Sequence, residues 1–446
     1  MKRTSARAFT LIEILVSLAA GGLVLVGLLA LSKNATQAFN EEARLAALQN
    51  SVRAASMRLQ GDLALASYLS TPNFRADPRI VRSRGAASNA NLGTLAGARR
   101  LAGLRIVPNG SDVNVPRSVA NGYRSDAIEI AGNLTGSDPF VVLDVQIGAS
   151  AGCDRIVLNM DTPAVWRMRD PTAADPNAVL VTRLQNLFVP ATRDADGANH
   201  LVRLVDPTGR SQYLSTCRGR ASVVAVGGVP AAVAIDVTAG VGNRILTTAD
   251  TGGVGGWPGR AVGGCTINPV HLVRYELGPA NILAPTLAGL EPSTVENPKY
   301  DLYRRYLDAT GVVIANAELV AEYMVGLRFG LTVDSALLGA PGSASTLTRI
   351  DPADAASLVT WTAQVDGTAA LPSPANGSQG PHRVRSVTTE VVARVPFADR
   401  DRPEPTGSGV RRYCIPGNCV PGRQQYARTR TVSMDVALPN HAGVFY

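Results

Sequence analysis

The stretch that decides the fold is Phe9–Leu31, FTLIEILVSLAAGGLVLVGLLAL, in which Glu13 is the only charged residue. An α-helix of this length would be about 34 Å long, and the hydrocarbon core of a bilayer is about 30 Å thick. Residues 9–31 are therefore predicted to span a membrane. Lys2, Arg3 and Arg7 precede the span without any acid, so the positive-inside rule predicts a cytoplasmic N-terminus and a head on the other side.

The apolar span continues into an amphipathic pattern, predicted to form the second half of the same helix over residues 32–70. Apolar residues recur there at mostly three- and four-residue steps, and no proline appears before Pro72. One helix of about sixty residues explains both halves. A cleaved secretory signal would instead have a shorter apolar run that ends at a small-residue cleavage site.

Composition excludes disorder for most of the chain, because 46% of the 446 residues are hydrophobic and the net charge is only +8. Residues 71–122 are rich in Arg, Gly and Pro and are predicted to be a connector. Its basic stretch, Arg75–Arg105, contains seven arginines and the single acid Asp77. This stretch fits either an anionic partner such as DNA, or a solvated loop whose arginines pair with acids elsewhere.

The remainder, residues 123–446, is predicted to be a β-rich head. Runs rich in Val, Ile and Thr alternate there with turn signals such as Asp196-Gly197 and Pro416-Gly417. No internal repeat is present, and the overall prediction is an α+β fold with a mostly antiparallel sheet. The predicted strands are Asp126–Ala131, Phe140–Ile147, Arg155–Met160, Val179–Val189, Ala221–Val226, Ala231–Val237, His271–Leu277, Val320–Val333, Val384–Val395 and Arg428–Leu438.

The head has few candidates for chemistry. Cys414 and Cys419 flank a Pro-Gly turn that could bring them within disulfide reach, while Cys153, Cys217 and Cys265 leave at least one odd thiol.

The four histidines are far apart in sequence and favour ordinary surface or strand-end positions over metal ligation: His200, His271, His382 and His441. Asp194, Asp196 and Asn199 resemble the front of a calcium loop but lack the later bidentate Glu, so a hairpin turn is the favoured interpretation. Four tyrosines are expected to pack the core: Tyr275, Tyr303, Tyr306 and Tyr323. With no catalytic motif, the chain is predicted not to be an enzyme and to need no cofactor or metal.

The segment Arg7-Ala8-Phe9-Thr10-Leu11-Ile12-Glu13 resembles the class III signal of type IV pilins and type II secretion pseudopilins. The resemblance implies that residues 1–8 form a leader and that prepilin peptidase cuts between Ala8 and Phe9 and methylates the new Phe9 amine. It also implies that Glu13 neutralises the Phe9 amine of a neighbouring subunit. The alternative for Glu13 is a carboxylate that snorkels to the membrane surface. Ala8 departs from the family, which nearly always has Gly at this position.

The order of several head segments is similar to PilW-type minor pilins and to the related J-type pseudopilins. The resemblance implies a type IV pilin fold, in which the helix packs on the sheet, with an insertion at about 159–264. The segments are Ser125–Ile130, Val273–Leu277, Tyr303–Leu307, Leu319–Phe329 and Thr429–Asn440.

The function that this resemblance implies is that of a minor pilin which helps to prime pilus assembly, sits in the tip complex and supports motility and adhesion. Its partners would be the major pilin, other minor pilins, prepilin peptidase and the inner-membrane assembly platform. The chain would be a single-pass inner-membrane protein with a periplasmic head and would then join the pilus at the cell surface. The alternatives are a J-type pseudopilin of a type II secretion system, or a membrane-anchored extracytoplasmic protein that binds DNA or a surface ligand.

Overall fold

A computed structural model describes the chain over several ranges and divides it into two compact units, Met1–Ser51 and Val52–Tyr446. The described ranges are 10–74, 77–80, 101–109, 125–150, 152–188, 200–226, 229–238, 264–284, 299–307, 313, 317–334, 347–366, 380–396, 412–415 and 426–442.

The first element, α1 (Leu11–Ala64), is a single helix of 54 residues, which confirms the predicted long N-terminal helix. It is long and apolar enough to cross a membrane, and its apolar N-terminal side chains are exposed. Within the second unit, Val52, Ala55, Leu59 and Leu63 are fully buried. These residues recur at three- and four-residue steps on one face, so this part of α1 is amphipathic as predicted.

The larger of two sheets in the second unit has ten strands, and every neighbouring pair in it is antiparallel. The α+β class and the antiparallel sheet are thus confirmed. The strands are β1 (Leu104–Val107), β2 (Ala127–Gly132), β3 (Phe140–Ser150), β4 (Cys153–Leu158), β5 (Leu201–Val205), β6 (Ser211–Val226), β7 (Val229–Thr238), β8 (Thr266–Gly278), β9 (Asp301–Leu307) and β10 (Glu318–Ala321).

Six of these strands close into a barrel, in the order β3-β4-β7-β6-β5-β8 and back to β3. Strand β8 completes the barrel because Ile267 pairs with Phe140 on one side and with Leu204 on the other. Farther along, Val273 pairs with β2 and β9 instead. The first half of β8 therefore belongs to the barrel, and its second half to an open sheet with β1, β2, β9 and β10.

The barrel strands and the helices beside them share one hydrophobic core, which includes Ile156, Leu214 and Ile235. Two helices lie in the connection between β4 and β5, namely α2 (Pro163–Trp166) and α3 (Pro176–Phe188). Strands β5, β6 and β7 fall in the stretch expected to be an insertion, 159–264. They share the barrel with β3, β4 and β8, which lie outside that stretch.

The second sheet has five strands in the order β12-β11-β13-β15-β14. Leu327, Phe329 and Leu331 alternate along β11 and are fully buried, as are Val387 and, almost completely, Val391 of β13. The strands are β11 (Met324–Asp334), β12 (Leu347–Ile350), β13 (Val384–Arg394), β14 (Arg412–Cys414) and β15 (Tyr426–Ala437); the short helix α4 (Ala280–Leu283) follows β8, and α5 (Ala355–Asp366) follows β12.

One predicted strand is wrong, because Val179–Val189 lies mostly in the helix α3. Leu180, Leu184 and Phe188 are buried at four-residue spacing, which is a helical period that a short apolar run conceals. The start of the helix is stabilised by Asp175, whose Oδ1 accepts the backbone N–H groups of Asn177 and Ala178, both at 3.0 Å.

Another predicted strand, Val320–Val333, is divided in two. Tyr323 has a φ of 56° and separates β10 from β11. Such a left-handed residue cannot continue a strand.

Candidate functional site

The first candidate site is the start of α1, where Glu13 folds back on Thr10. The Glu13 Oε2 atom accepts hydrogen bonds from the Thr10 backbone N–H and from its hydroxyl, both at 3.0 Å. The Thr10 Oγ1 atom in turn accepts the Glu13 N–H at 3.3 Å. This reciprocal pair is a capping box, which fixes the carboxylate at the helix N-terminus.

The carboxylate of Glu13 is surrounded along the helix by exposed apolar side chains. Leu11 and Ile12 are 80% and 70% exposed, and Leu15 is 60% exposed. Within the described part of α1, Glu13 is thus an acid positioned on an apolar surface, where it can neutralise a cation brought there by another molecule. Ala8 and Phe9, the predicted cleavage and methylation positions, lie outside the described residues.

The second candidate is a buried anchor between the helix and the open sheet, formed by Asp62, Arg304 and Tyr275. The Arg304 Nε donates to Asp62 Oδ2 at 2.7 Å, and the Tyr275 hydroxyl donates to the same oxygen at 2.7 Å. The side chains of Arg304 and Asp62 are only 3% and 7% exposed. This anchor joins α1 to β9 through a buried charge pair and to β8 through the hydrogen bond of the Tyr275 hydroxyl.

Electrostatics keep Arg304 charged and Tyr275 protonated. Burial alone lowers the pKa of Arg304, but Asp62, Tyr306 and Tyr275 together outweigh it and the pKa is raised overall. Burial, and then Asp62, raise the pKa of Tyr275, which therefore remains a hydroxyl donor. The sequence indicated this anchor only weakly. Asp62 is an acid within the apolar stripe, next to Leu63, but no sequence pattern identifies Arg304 as its partner.

A third cluster, the C-terminal cap, joins the end of α1 to the turn Pro439–His441. The Asn440 side-chain amide donates to the carbonyl oxygens of Ala64 and Ala66 at 3.2 and 3.0 Å. The Ser67 hydroxyl lies 2.9 Å from His441 Nε2, and His441 Nδ1 lies 3.1 Å from the Pro381 carbonyl oxygen. Because a carbonyl only accepts, Nδ1 carries the proton and Nε2 accepts from Ser67.

The histidines correct the expectation of surface positions, since all four are at most 3% exposed. Burial lowers the pKa of His271, His382 and His441 to about 4 in each case. They stay neutral at physiological pH and serve as hydrogen-bonding core residues. His200 does adjoin the end of a strand, β5, as expected.

A row of charges crosses the open sheet and includes one arginine of the basic stretch Arg75–Arg105. The Arg105 guanidinium lies 2.8 Å from Glu129, and Arg274 lies 3.5 Å from the other Glu129 oxygen. Arg105 is therefore paired with an acid elsewhere in the fold, as the alternative to an anionic partner predicts for the arginines of this stretch. Of the other six arginines, Arg79 is described and exposed, and Arg75, Arg82, Arg84, Arg99 and Arg100 lie outside the described residues.

The structure shows part of the cysteine pairing. Cys153 and Cys217 form a disulfide between β4 and β6, and Cys265 is buried and not disulfide-bonded. Cys414 is disulfide-bonded, and its predicted partner Cys419 lies outside the described residues. The calcium candidates Asp194, Asp196 and Asn199 lie outside them as well. Within the described ranges, no group of three or more His, Cys, Asp or Glu side chains could hold a metal ion.

The tyrosines expected in the core divide into two pairs. Tyr275 and Tyr303 are buried, at 0% and 1% exposure. Tyr306 and Tyr323 are half-buried. Each half-buried ring makes a cation–π contact. Arg304 lies 4.6 Å from the centre of the Tyr306 ring, and Lys299 lies 4.8 Å from the centre of the Tyr323 ring.

The chain matches no protein-family model, no curated protein and no solved structure. A function is therefore proposed from the arrangement of its own residues together with the resemblance of its N-terminal motif.

Proposed function

We propose that the protein is a minor pilin of PilW type. After cleavage by prepilin peptidase it would enter a type IV pilus, help to prime assembly and form part of the tip complex. The observation that supports this most is the Glu13 carboxylate, held by Thr10 at the first turn of an exposed apolar helix. A secretory signal or a simple membrane anchor has no need of a positioned acid at this place.

The chemistry of such an assembly follows from the cost of isolated charges in apolar surroundings. An unpaired charge costs about 2.5–3.5 kcal/mol at the centre of a bilayer and less near its edge, where Glu13 lies in the span 9–31. A new Phe9 ammonium group on a neighbouring subunit carries a similar penalty, and the two charges offset each other when they meet. The capping box holds the carboxylate ready for this contact, so binding loses little side-chain entropy.

The buried anchor supports the same proposal. In a fibre, each head must remain attached to its own helix. Arg304, Asp62 and Tyr275 tie the second half of α1 to the open sheet through buried contacts.

The experiment is to replace Glu13 in the full chain and to measure its incorporation into pili. We expect Glu13→Gln to leave cleavage after Ala8 intact and to remove the protein from sheared pili. The matched control is Glu42→Gln, which alters an exposed acid on the same helix. Mass spectrometry of the processed N-terminus, with and without prepilin peptidase, and immunoblots of the sheared fraction are the measurements. Normal incorporation of Glu13→Gln would contradict the proposal.

A deletion strain separates the two systems that share this N-terminal architecture. Loss of pili with normal secretion supports the minor pilin, and loss of secretion with normal pili supports the J-type pseudopilin. The DNA-binding alternative is weakened by the Arg105–Glu129 pair, and it would be favoured if the purified full chain bound DNA at low salt.

A further inference from the structure

The second sheet has a long open edge along β15. Strand β13 pairs with β15 over Thr429–Ala437, whereas β14, on the other side, pairs only with Tyr426–Arg428. Within the described ranges, no strand pairs with residues 430–437 on the side away from β13. Every second side chain of this stretch is exposed on one face, namely those of Thr431, Ser433, Asp435 and Ala437.

The backbone groups that point toward this edge follow from the bonds to β13. At one end of the pair the Val395 N–H donates to the Arg428 carbonyl oxygen, and at the other the Leu438 N–H donates to the Arg385 carbonyl oxygen, both at 2.9 Å. The register between these ends has no shift, and an antiparallel strand bonds its neighbour at every second residue. The even-numbered residues of β15 therefore bond β13, and the odd-numbered ones turn their N–H and C=O groups outward. Those residues are Thr431, Ser433, Asp435 and Ala437.

The hydrophobic core of the sheet is incomplete at the same edge. Leu327, Val391 and Val432 form one row across β11, β13 and β15. Leu327 and Val391 are 0% and 1% exposed, but Val432 is only half-buried. In the next row Phe329 is fully buried, and Met434 is again half-buried. Because residues paired across strands share a face, a further strand beside β15 would cover Val432 and Met434.

Two exposed charges, Arg430 and Asp435, flank the uncharged centre of the edge. The Thr388 hydroxyl donates to Asp435 Oδ1, which fixes the carboxylate on the sheet. The two charged residues are five positions apart, so they lie on opposite faces of the strand. An added strand is therefore favoured when it places an acid opposite Arg430 and a base opposite Asp435.

We infer that this edge binds an extended strand of a different polypeptide, which pairs antiparallel with β15. Only a strand repeats N–H and C=O groups at the spacing that the edge presents. Its side chains would be apolar opposite Val432 and Met434 and polar opposite Ser433. A second copy of β15 does not supply the charges, because directly opposed residues share a face and Arg430 cannot then meet Asp435. This inference goes beyond the proposed function and does not depend on assembly into a pilus.

The test uses a labelled peptide, Thr-Val-Lys-Val-Thr-Val-Thr-Glu, designed to run from Ala437 to Arg430. Fluorescence anisotropy with the purified full chain in detergent measures its binding, and we expect a Kd of about 100 µM or tighter. Two N-methylated versions share the same apolar content and so control for uptake by the micelle. Methyl groups on the residues opposite Thr431 and Ser433 should abolish binding, because those amides face β15. Methyl groups opposite Val432 and Met434 should leave it intact.

The matched protein variants alter Ser433. Ser433→Pro removes an N–H that points to the edge and takes no bond from β13, so it should weaken binding about tenfold or more. Ser433→Thr keeps the N–H and should bind as the unaltered chain does. A peptide with its Lys and Glu exchanged should bind a few-fold more weakly.

Failure of the first peptide to bind would overturn the inference, as would equal binding of the two N-methylated peptides. Unchanged binding by a folded Ser433→Pro would also overturn it, and if this variant does not fold, the N-methylated pair decides. Sedimentation of the chain as a dimer that Ser433→Pro converts to a monomer would overturn it too, and would identify the edge as a contact between copies.

Discussion

Removal of Asp62 should destabilise the second unit far more than removal of an exposed charge on the same helix. In Asp62→Ala, Arg304 stays buried without its main counter-ion and the Tyr275 hydroxyl loses its acceptor. Breaking a buried charge pair by removing one partner costs about 3–5 kcal/mol. Glu318 still lies 3.3 Å from Arg304, so we expect the lower end, about 3 kcal/mol.

Arg58→Ala is the matched control, because Arg58 lies on the same helix and also contacts Glu318, at 3.4 Å. Its side chain is 48% exposed and that of Glu318 is 47% exposed, so its loss should cost about 1 kcal/mol or less. A third variant, Asp62→Leu with Arg304→Met, removes both buried charges and should recover at least half of the loss.

The assay is urea unfolding of the full chain in detergent, followed by circular dichroism in the far and near ultraviolet. The reasoning is refuted if Asp62→Ala and Arg58→Ala differ by less than about 1 kcal/mol. It is also refuted if the double variant is as unstable as Asp62→Ala alone, because the loss would then come from packing and not from an unpaired charge.

Three further predictions concern the core. The lowered pKa of His382 and His441, about 4 against 6.5 when unfolded, means that stability is retained above pH 6.5 and lost as the pH falls toward 4. Each histidine accounts for up to about 3 kcal/mol of the free energy of unfolding that is lost on acidification. His441→Gln should therefore flatten the pH profile of the urea midpoint, and an unchanged profile would contradict this. Gly103→Ala should disrupt the C-terminal cap, because its Cβ would lie 1.7 Å from Ser67 Oγ, whereas Gly61→Ala, in open space, should not; equal melting temperatures would argue against it. Burial raises the pKa of the Cys265 thiol to about 11, so iodoacetamide should label it only after unfolding, and rapid labelling of the native chain would show that the thiol is accessible.

Local patterns predicted the elements whose periodicity is regular. The long helix followed from a continuous apolar run joined to an amphipathic one, and β15 followed from strict alternation over Val432–Leu438. The helix α3 was missed because its apolar run fits both a buried strand and a helix, although Asp175 and Pro176 supply a helix start. The buried histidines were misplaced because their partners are distant in sequence.

Long-range pairing of strands and side chains explains the other features of the structure that the sequence did not predict. The barrel depends on β8 meeting β3 and β5, and no local pattern encodes that choice of neighbours. The Glu13 site was evident because its acid lies in an apolar segment. The anchor required knowledge that Arg304 lies 242 residues from Asp62 in sequence and yet 2.7 Å away in space.

Strand β8 has a mechanical consequence, because it runs without interruption from the barrel into the open sheet. A pull on α1 within the second unit passes through Asp62 to Arg304 on β9, and from β9 to β8 over seven paired residues. The same strand then carries the load into the barrel. Tension applied at the helix is therefore transmitted through the open sheet into the barrel along one continuous strand.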